Sequence, residues 1–227
     1  MPQSIDKKKI VIYLTLLIIL SSISNKTFQN NERDFAKIKS IDINGVSNSN
    51  KKKLVNEFNQ LISTNIFFIN KELISKTIEK NNFIESYTVK KIYPSKLYME
   101  IKSAKFIAKI YKNDTKYFIG SNGKLINNKV SKAEIPIFLG KFNSIDFLNF
   151  KENIEKSKFN FFDFKSINLL KSNRWDIVTK NNRLIKLPEN NLIQALEIAH
   201  KIIKDEKLKV NKIIDLRVHN RIILKNE

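Results

Sequence analysis

Few side chains in this chain of 227 residues could do covalent or metal chemistry. Cysteine is absent, which removes thiol catalysis and thiolate metal sites. The two histidines are His200 and His219. His200 borders an apolar helical stripe and reads as a packing residue. His219 falls in a turn after Asp215, where side chains are ordinarily solvated. Neither HExxH nor GxSxG occurs, and with only four glycines no Gly-rich loop can cradle a phosphate. Acidic pairs such as Asp205-Glu206 stand at helix ends without convergent partners. Trp175 fits a strand core better than an interface anchor. The run Phe159 to Phe164 reads as core, and as a partner patch only if it is exposed. The residues therefore predict no catalytic, cofactor or metal site and favour a binding or scaffolding protein.

Charge narrows the partners. The net charge is +20, and phosphate neutralisation drives nucleic-acid binding. Here, though, the cations are mostly Lys rather than the Arg fork suited to base and phosphate recognition. They are also scattered beside abundant Asn and Ile. A solvated basic surface is the better reading, with attraction to anionic membranes as a by-product. Hydrophobic residues make up 42% of the chain, too many for a disordered one.

One apolar run breaks this surface pattern. Ile10 to Leu20 follows Lys7, Lys8 and Lys9, and Ser21 to Ser24 extend it to a marginal span. The basic head keeps the N-terminus inside and sends the remainder across a membrane. A cleaved signal peptide has the same grammar, with Ser22 and Ser24 before the cut.

Residues 27–37 are polar and read as a linker. Beyond them the periodicity predicts strand, helix, helix, strand, strand. Ile41 and Ile43 alternate before Gly45. Leu54, Val55, Phe58, Leu61 and Ile62 fall at helical spacing after N-caps offered by Asn48, Ser49 or Asn50. Asn70 caps a second helix with Leu73, Ile74 and Ile78. Tyr87 to Ile92 and Lys96 to Ile101 flank a turn at Pro94. From Ala104 the pattern becomes mostly strands: 106–111, 116–119, 166–170, 175–179 and 184–187. A helix is predicted over 147–156 and another over 192–204, capped by Asn190 or Asn191. Strands 212–218 and 221–225 close the chain, with His219-Asn220 as their turn.

Several phrases carry a resemblance. IDINGV opens the first strand, NIFFIN precedes the second helix, and VKKIYP leads into the hairpin. YFIGSNGKLI is followed by IPIFLG, and RWDIVTKNNRLIKLPE by a helix and IIDLRVHNRIILK. In this order the chain resembles the FtsQ/DivIB family of bacterial cell-division proteins over nearly its whole length. Where such proteins carry an acidic-basic pair and a Pro at the module junction, this chain has Ser103-Ala104-Lys105-Phe106.

The resemblance implies an α+β fold. A single N-terminal transmembrane helix precedes a POTRA module (β-α-α-β-β) and a C-terminal, mainly antiparallel β domain with a packed helix. The implied boundaries are a cytoplasmic head over 1–9, an uncleaved anchor over 10–27, a linker over 28–37, the POTRA module over 38–103 and the β domain over 104–227. It implies a non-enzymatic, single-pass scaffold of the inner membrane at the division septum, with its N-terminus cytoplasmic and its C-terminal domain periplasmic. Such a scaffold links early and late division proteins, takes no cofactor, small-molecule substrate or nucleic acid, and reaches other septal membrane proteins through the POTRA module. An FtsB/FtsL-like complex would add a strand to the last sheet edge. On this sequence that places partner contacts at Val218, His219, Asn220, Arg221, Ile222, Ile223, Leu224 and Lys225. The rival readings are a POTRA-bearing export or outer-membrane assembly factor, for which too few residues remain to build a barrel, and a secreted enzyme with an unrecognised site.

Overall fold

The computed structural model describes residues 7–22, 36–128, 134–208, 210, 212–218 and 221–226. The chain divides into two compact units: Met1–Ile74 with Thr88–Glu100, and Ser75–Tyr87 with Ile101–Glu227.

The apolar run forms α1 (Lys7–Ser22), 16 residues long. Its large apolar side chains from Ile10 to Leu20 are all exposed. At 1.5 Å per residue α1 spans about 24 Å, short of the roughly 30 Å of a hydrocarbon core. Among the described residues no helix is long and apolar enough to cross a membrane. The expected anchor over 10–27 runs past the end of α1, and its residues 23–27 lie outside the described ones.

Beyond α1, the first unit continues with β1 (Ser40–Asn44) and α2 (Asn48–Phe58). Short 3-10 turns follow at Asn59–Leu61 and Ile66–Phe68, before α3 (Lys71–Glu79). Next come β2 (Ile84–Ile92) and β3 (Lys96–Ser103), giving sheet order β1-β3-β2 with β1 parallel to β3. The border between the units thus runs through α3 and the β2–β3 pair. This is the β-α-α-β-β order expected of the module. Ile43, Leu54, Phe58, Ile66, Leu97 and Met99 are fully buried. The cap of α2 is Ser47, one residue before the expected set. Gly45 takes a left-handed turn straight after β1, which leaves Ser47 extended, and its Oγ accepts from Asn50 N at 3.4 Å. Asn70 caps α3 as expected, accepting from Leu73 N at 3.1 Å.

The second unit is built on a nine-stranded sheet. Its strands are β4 (Phe106–Lys112), β5 (Thr115–Gly120), β6 (Leu125–Ile126), β7 (Ile137–Gly140), β8 (Phe164–Leu169), β9 (Trp175–Thr179), β10 (Leu184–Lys186), β11 (Ile213–Asp215) and β12 (Ile223–Lys225). Their order is β12-β11-β10-β9-β8-β7-β4-β5-β6. Neighbours are mainly antiparallel, but β7 runs parallel to both β4 and β8, and β10 runs parallel to β11. Two helices, α4 (Ser144–Lys156) and α5 (Leu192–Lys204), cover one face, as the periodicity over 147–156 and 192–204 predicts, where the resemblance implied one packed helix. Phe147, Phe150 and Ile154 of α4 and Leu196, Ala199 and Ile202 of α5 join Ile167, Ile177, Ile185 and Ile214 of the sheet in one core. Trp175 is buried there and stacks on Phe150, with centroids 3.9 Å apart and planes within 8°. In the Phe-rich run, Phe161 and Phe164 are core while Phe162 stays exposed. Asn191 occupies the start of α5 in a left-handed conformation and makes no side-chain cap. Asn tolerates that region, so it serves as a turn residue instead of an acceptor.

Candidate partner-binding edge

The end of the nine-stranded sheet is built by chain order. The α5 crossover returns the chain to lay β11 parallel to β10, and the chain then reverses to lay β12 antiparallel on β11. Arg221 N donates to Val218 O at 3.1 Å within that reversal. Among the described residues β12 has one neighbour in the sheet, so it stands at the edge. It covers Ile223 to Lys225 instead of the expected 221–225, and β11 likewise covers only Ile213 to Asp215.

The ladder fixes which groups face out. Leu184 N donates to Lys212 O and Leu216 N to Lys186 O, at 2.8 and 2.9 Å, so Ile214 between them faces β10, while Lys212 N donates to Lys225 O at 2.9 Å and marks that carbonyl as inward. Successive residues of a strand alternate their main-chain direction, which turns Ile213 and Asp215 toward β12. Their register partners are Lys225 and Ile223, whose main-chain groups therefore point inward. Leu224 is left with its N–H and C=O directed away from the sheet.

Side chains alternate as well. Leu224 continues the row Ile177, Ile185, Ile214 and packs against the core. On the opposite face the next row reads Asp176, Lys186, Asp215, Ile223 across β9 to β12. Asp215 is buried and gripped by Arg217, with Nε donating to Oδ1 at 2.8 Å and Nη2 to Oδ2 at 2.5 Å; Arg217 N adds a bond to Oδ1 at 3.1 Å. That fork holds the Asp215 carboxyl below the ordinary aspartate range. Burial pushes the Asp176 carboxyl up, against the pull of Lys186 and Arg217, and its Oδ1 has no hydrogen-bond partner. The edge is thus backed by alternating fixed charges.

A cleft of about 660 Å³ opens beside the start of β12, lined among others by Arg174, Gln194, Ile198, Leu216, Arg217 and Ile222. Val218 and Ile222 are exposed apolar residues at its mouth, with Arg221 between them in sequence and also exposed. Of the eight expected contact residues, Val218 and 221–225 are thus gathered at one sheet end, whereas His219 and Asn220 lie outside the described residues. The sequence reading missed Asp176, Lys186, Asp215 and Arg217. Their only signal was a charge inside each of three apolar strands, and register alone brings those charges into a row. His200 is half-buried and meets Phe159 edge-on at 5.3 Å, which is a packing role. Among the described residues no cluster of three His, Asp or Glu could hold a metal ion.

Comparison with known proteins gives two family matches. Residues 36–102 match the family described as POTRA domain, FtsQ-type, and residues 109–217 match Cell division protein FtsQ/DivIB, C-terminal. The second match stops before Val218, so β12 lies beyond it. The chain is 22% identical to Cell division protein FtsQ of Bradyrhizobium diazoefficiens over 165 residues, covering 71% of this chain and 48% of that protein. It is 26% identical to Cell division protein DivIB of Bacillus subtilis over 112 residues, 48% of this chain and 42% of that one. The chain thus spans about half the length of these curated relatives. Among solved structures, the major extracytoplasmic domain of the trans isomer of DivIB from Geobacillus stearothermophilus aligns with a TM-score of 0.34 and 12% identity. That alignment covers 45% of this chain and 92% of that one.

Proposed function

Because the chain belongs to the FtsQ/DivIB family of cell-division proteins, we propose that it is a non-enzymatic scaffold of the division machinery. It is held at the inner membrane by α1 and receives an FtsB/FtsL-like partner on β12. The observation that carries this reading is the outward main chain of Leu224 on a terminal strand that contains no Pro. An extended partner segment pairs with that residue's N–H and C=O and continues the sheet by one strand. Its alternate side chains fall beside Leu224 and the cleft on one face, and beside Ile223 and Lys225 on the other. Arg221 and Lys225 favour an acidic segment and also discourage unwanted edge pairing.

The anchor reading rests on the three lysines that open α1 and on the exposed apolar side chains behind them. An N-terminus retained in the cytoplasm sends the POTRA module and the β domain to the periplasmic side, where the protein links early and late components at the septum. The POTRA module is the side offered to other septal membrane proteins.

Binding is tested with the full chain in detergent and the exported segment of an FtsB-like protein from the same cell. A chain ended after Asn220 is measured beside it, and circular dichroism reports folding. Binding by the full chain, lost in a folded truncation, supports the partner and the edge together. No binding by the full chain sinks the partner assignment. Equal binding by the folded truncation moves the site away from β12.

A further inference from the structure

An aromatic patch on the first unit has no role in the edge described above. The 3-10 turn Ile66–Phe68 is fastened by Ile66, which is fully buried, while Phe67 and Phe68 point outward, Phe68 with 84% of its surface exposed. Phe67 stacks on Tyr93 at 5.1 Å, which joins this turn to the β2–β3 turn, and Ile92 beside it is exposed too. Lys91 Nζ donates to Phe67 O at 3.0 Å and braces the pair. Segments 65–71 and 89–96, which build the patch, carry Lys71, Lys90, Lys91 and Lys96 and no acidic residue, Lys96 being paired with Asp42 of β1 at 3.3 Å. Four large apolar side chains exposed in a lysine-rich stretch are an expensive surface to leave in water.

The position of the patch in the chain says what covers it. Ile66 N donates to Ala36 O at 2.8 Å, Ile38 N to Thr64 O at 2.9 Å, and Lys37 pairs with Asn65. The chain therefore enters the module directly beside Phe67 and Phe68. Only residues 23–35 separate that point from α1, a reach of at most about 50 Å. Aromatic rings with lysines around them are the side chains that settle at a lipid–water interface, the rings at headgroup depth and the ammonium groups against anionic lipid.

We infer that Phe67, Phe68, Ile92 and Tyr93, with Lys91 and its neighbouring lysines, form a second membrane contact that seats the first unit on an anionic lipid surface. The inference rests on the reading of α1 as the membrane anchor. Its consequence is a module held down at two points, with its orientation to the bilayer set by the patch and not by the tether alone.

The chain has no cysteine, so a single one can be placed and labelled with the environment-sensitive fluorophore NBD. Phe68→Cys reports the patch. Ser49→Cys, just past the opposite end of β1 and exposed, reports the far side of the same unit. Each full-length chain is reconstituted into phosphatidylcholine–phosphatidylglycerol vesicles containing doxyl-labelled lipid. The label at 68 is expected to brighten severalfold and to be quenched by the doxyl lipid, while the label at 49 stays as in water. Replacing Phe67 and Tyr93 by Ser should reverse the signal at 68. Omitting the anionic lipid should weaken the contact by on the order of 5-fold for each lysine at the surface. A chain that floats with the vesicles while its label at 68 remains in water overturns the patch and leaves the anchor standing. Failure to float removes the anchor and the patch together. A label at 68 that is shielded only in native membranes assigns the patch to a protein occupant and overturns the lipid one.

Discussion

Leu224→Pro and Leu224→Ala form a matched pair at the proposed edge. Both remove most of the side chain that packs against the core, so both lose similar stability. Only the Pro variant loses the N–H, which faces away from β11. A partner strand bonded to Leu224 on both its main-chain groups loses one hydrogen bond, worth about 0.5–1.5 kcal/mol net, and keeps a desolvated carbonyl with no donor, for a total of about 1–3 kcal/mol. That corresponds to roughly 5- to 150-fold in Kd. Ile223→Pro is the complementary control. Its N–H faces Asp215 within the ladder, so it should lower the melting temperature of the second unit before it alters binding by the folded protein. Affinity is read by fluorescence anisotropy of a labelled FtsB-like segment titrated with the full chain, and stability by circular dichroism. Equal Kd for folded Leu224→Pro and Leu224→Ala would refute the claim that the outward main chain of β12 is the contact.

Other expectations concern the frame that holds this edge. Gly140 has a φ of +104°, and a Cβ there would lie 2.2 Å from Leu169 O. Gly140→Ala should therefore strain the parallel β7–β8 pair and cost about 2–4 kcal/mol, seen as a lowered melting temperature. Phe150→Ala empties the face of the stack on Trp175 and should cost about 3–5 kcal/mol; Trp175, the only Trp, should then shift its emission to the red. Asp215 has its folded pKa below the ordinary 3.8, so the stability it lends is present above that value and is lost as pH falls through the folded one. The Asp176 carboxyl is raised and works in the opposite sense, offsetting part of that loss. Asp215→Asn should flatten the acid limb of a stability–pH curve and Asp176→Asn should steepen it, as measured by urea melts between neutral and acid pH.

The elements that the sequence revealed best are those whose burial follows a single period. The α5 stripe Leu196, Ala199, Ile202 faces one core, and the helix runs 192–204 as its pattern predicts. β9 alternates as BiBiB because one face is covered by α4 and α5 and the other is not. The turns after β8 and β9 carry Asn173 and Asn182, both with positive φ. What local pattern could not carry was strand order. β7 is four residues long and inserts between β4 and β8, parallel to both, and nothing in Ile137-Phe138-Leu139-Gly140 specifies those neighbours. The same limit hid the charged row. Asp176, Lys186 and Asp215 stand far apart in sequence and meet only through the register of three strands. The last strand was legible as a strand, but its length, Ile223 to Lys225, was not. Arg217 turns back to grip Asp215 two residues earlier, which ends β11 early and shortens the ladder available to β12.

That short ladder bears on how the edge works. β12 is held by three residues of pairing on one side and by one side chain, Leu224, against the core. Elements with so few buried contacts open at the low end of the stability scale. A partner that pairs with β12 must meet it in place, and the apparent Kd rises as the docked fraction falls. Leu224→Ala should therefore weaken binding by ordering alone. A half-buried Leu truncated to Ala loses about 1–2 kcal/mol of docking, enough to raise Kd by up to roughly 5- to 30-fold once the undocked form dominates. Hydrogen exchange separates this from a lost contact. The amides of Ile223 and Lys225, which face β11, should exchange faster in free Leu224→Ala than in the unaltered chain, and saturating partner should restore their protection. A variant that binds weakly while its β12 amides exchange at the original rate would show that the Leu224 side chain touches the partner directly, and the ordering account would fail.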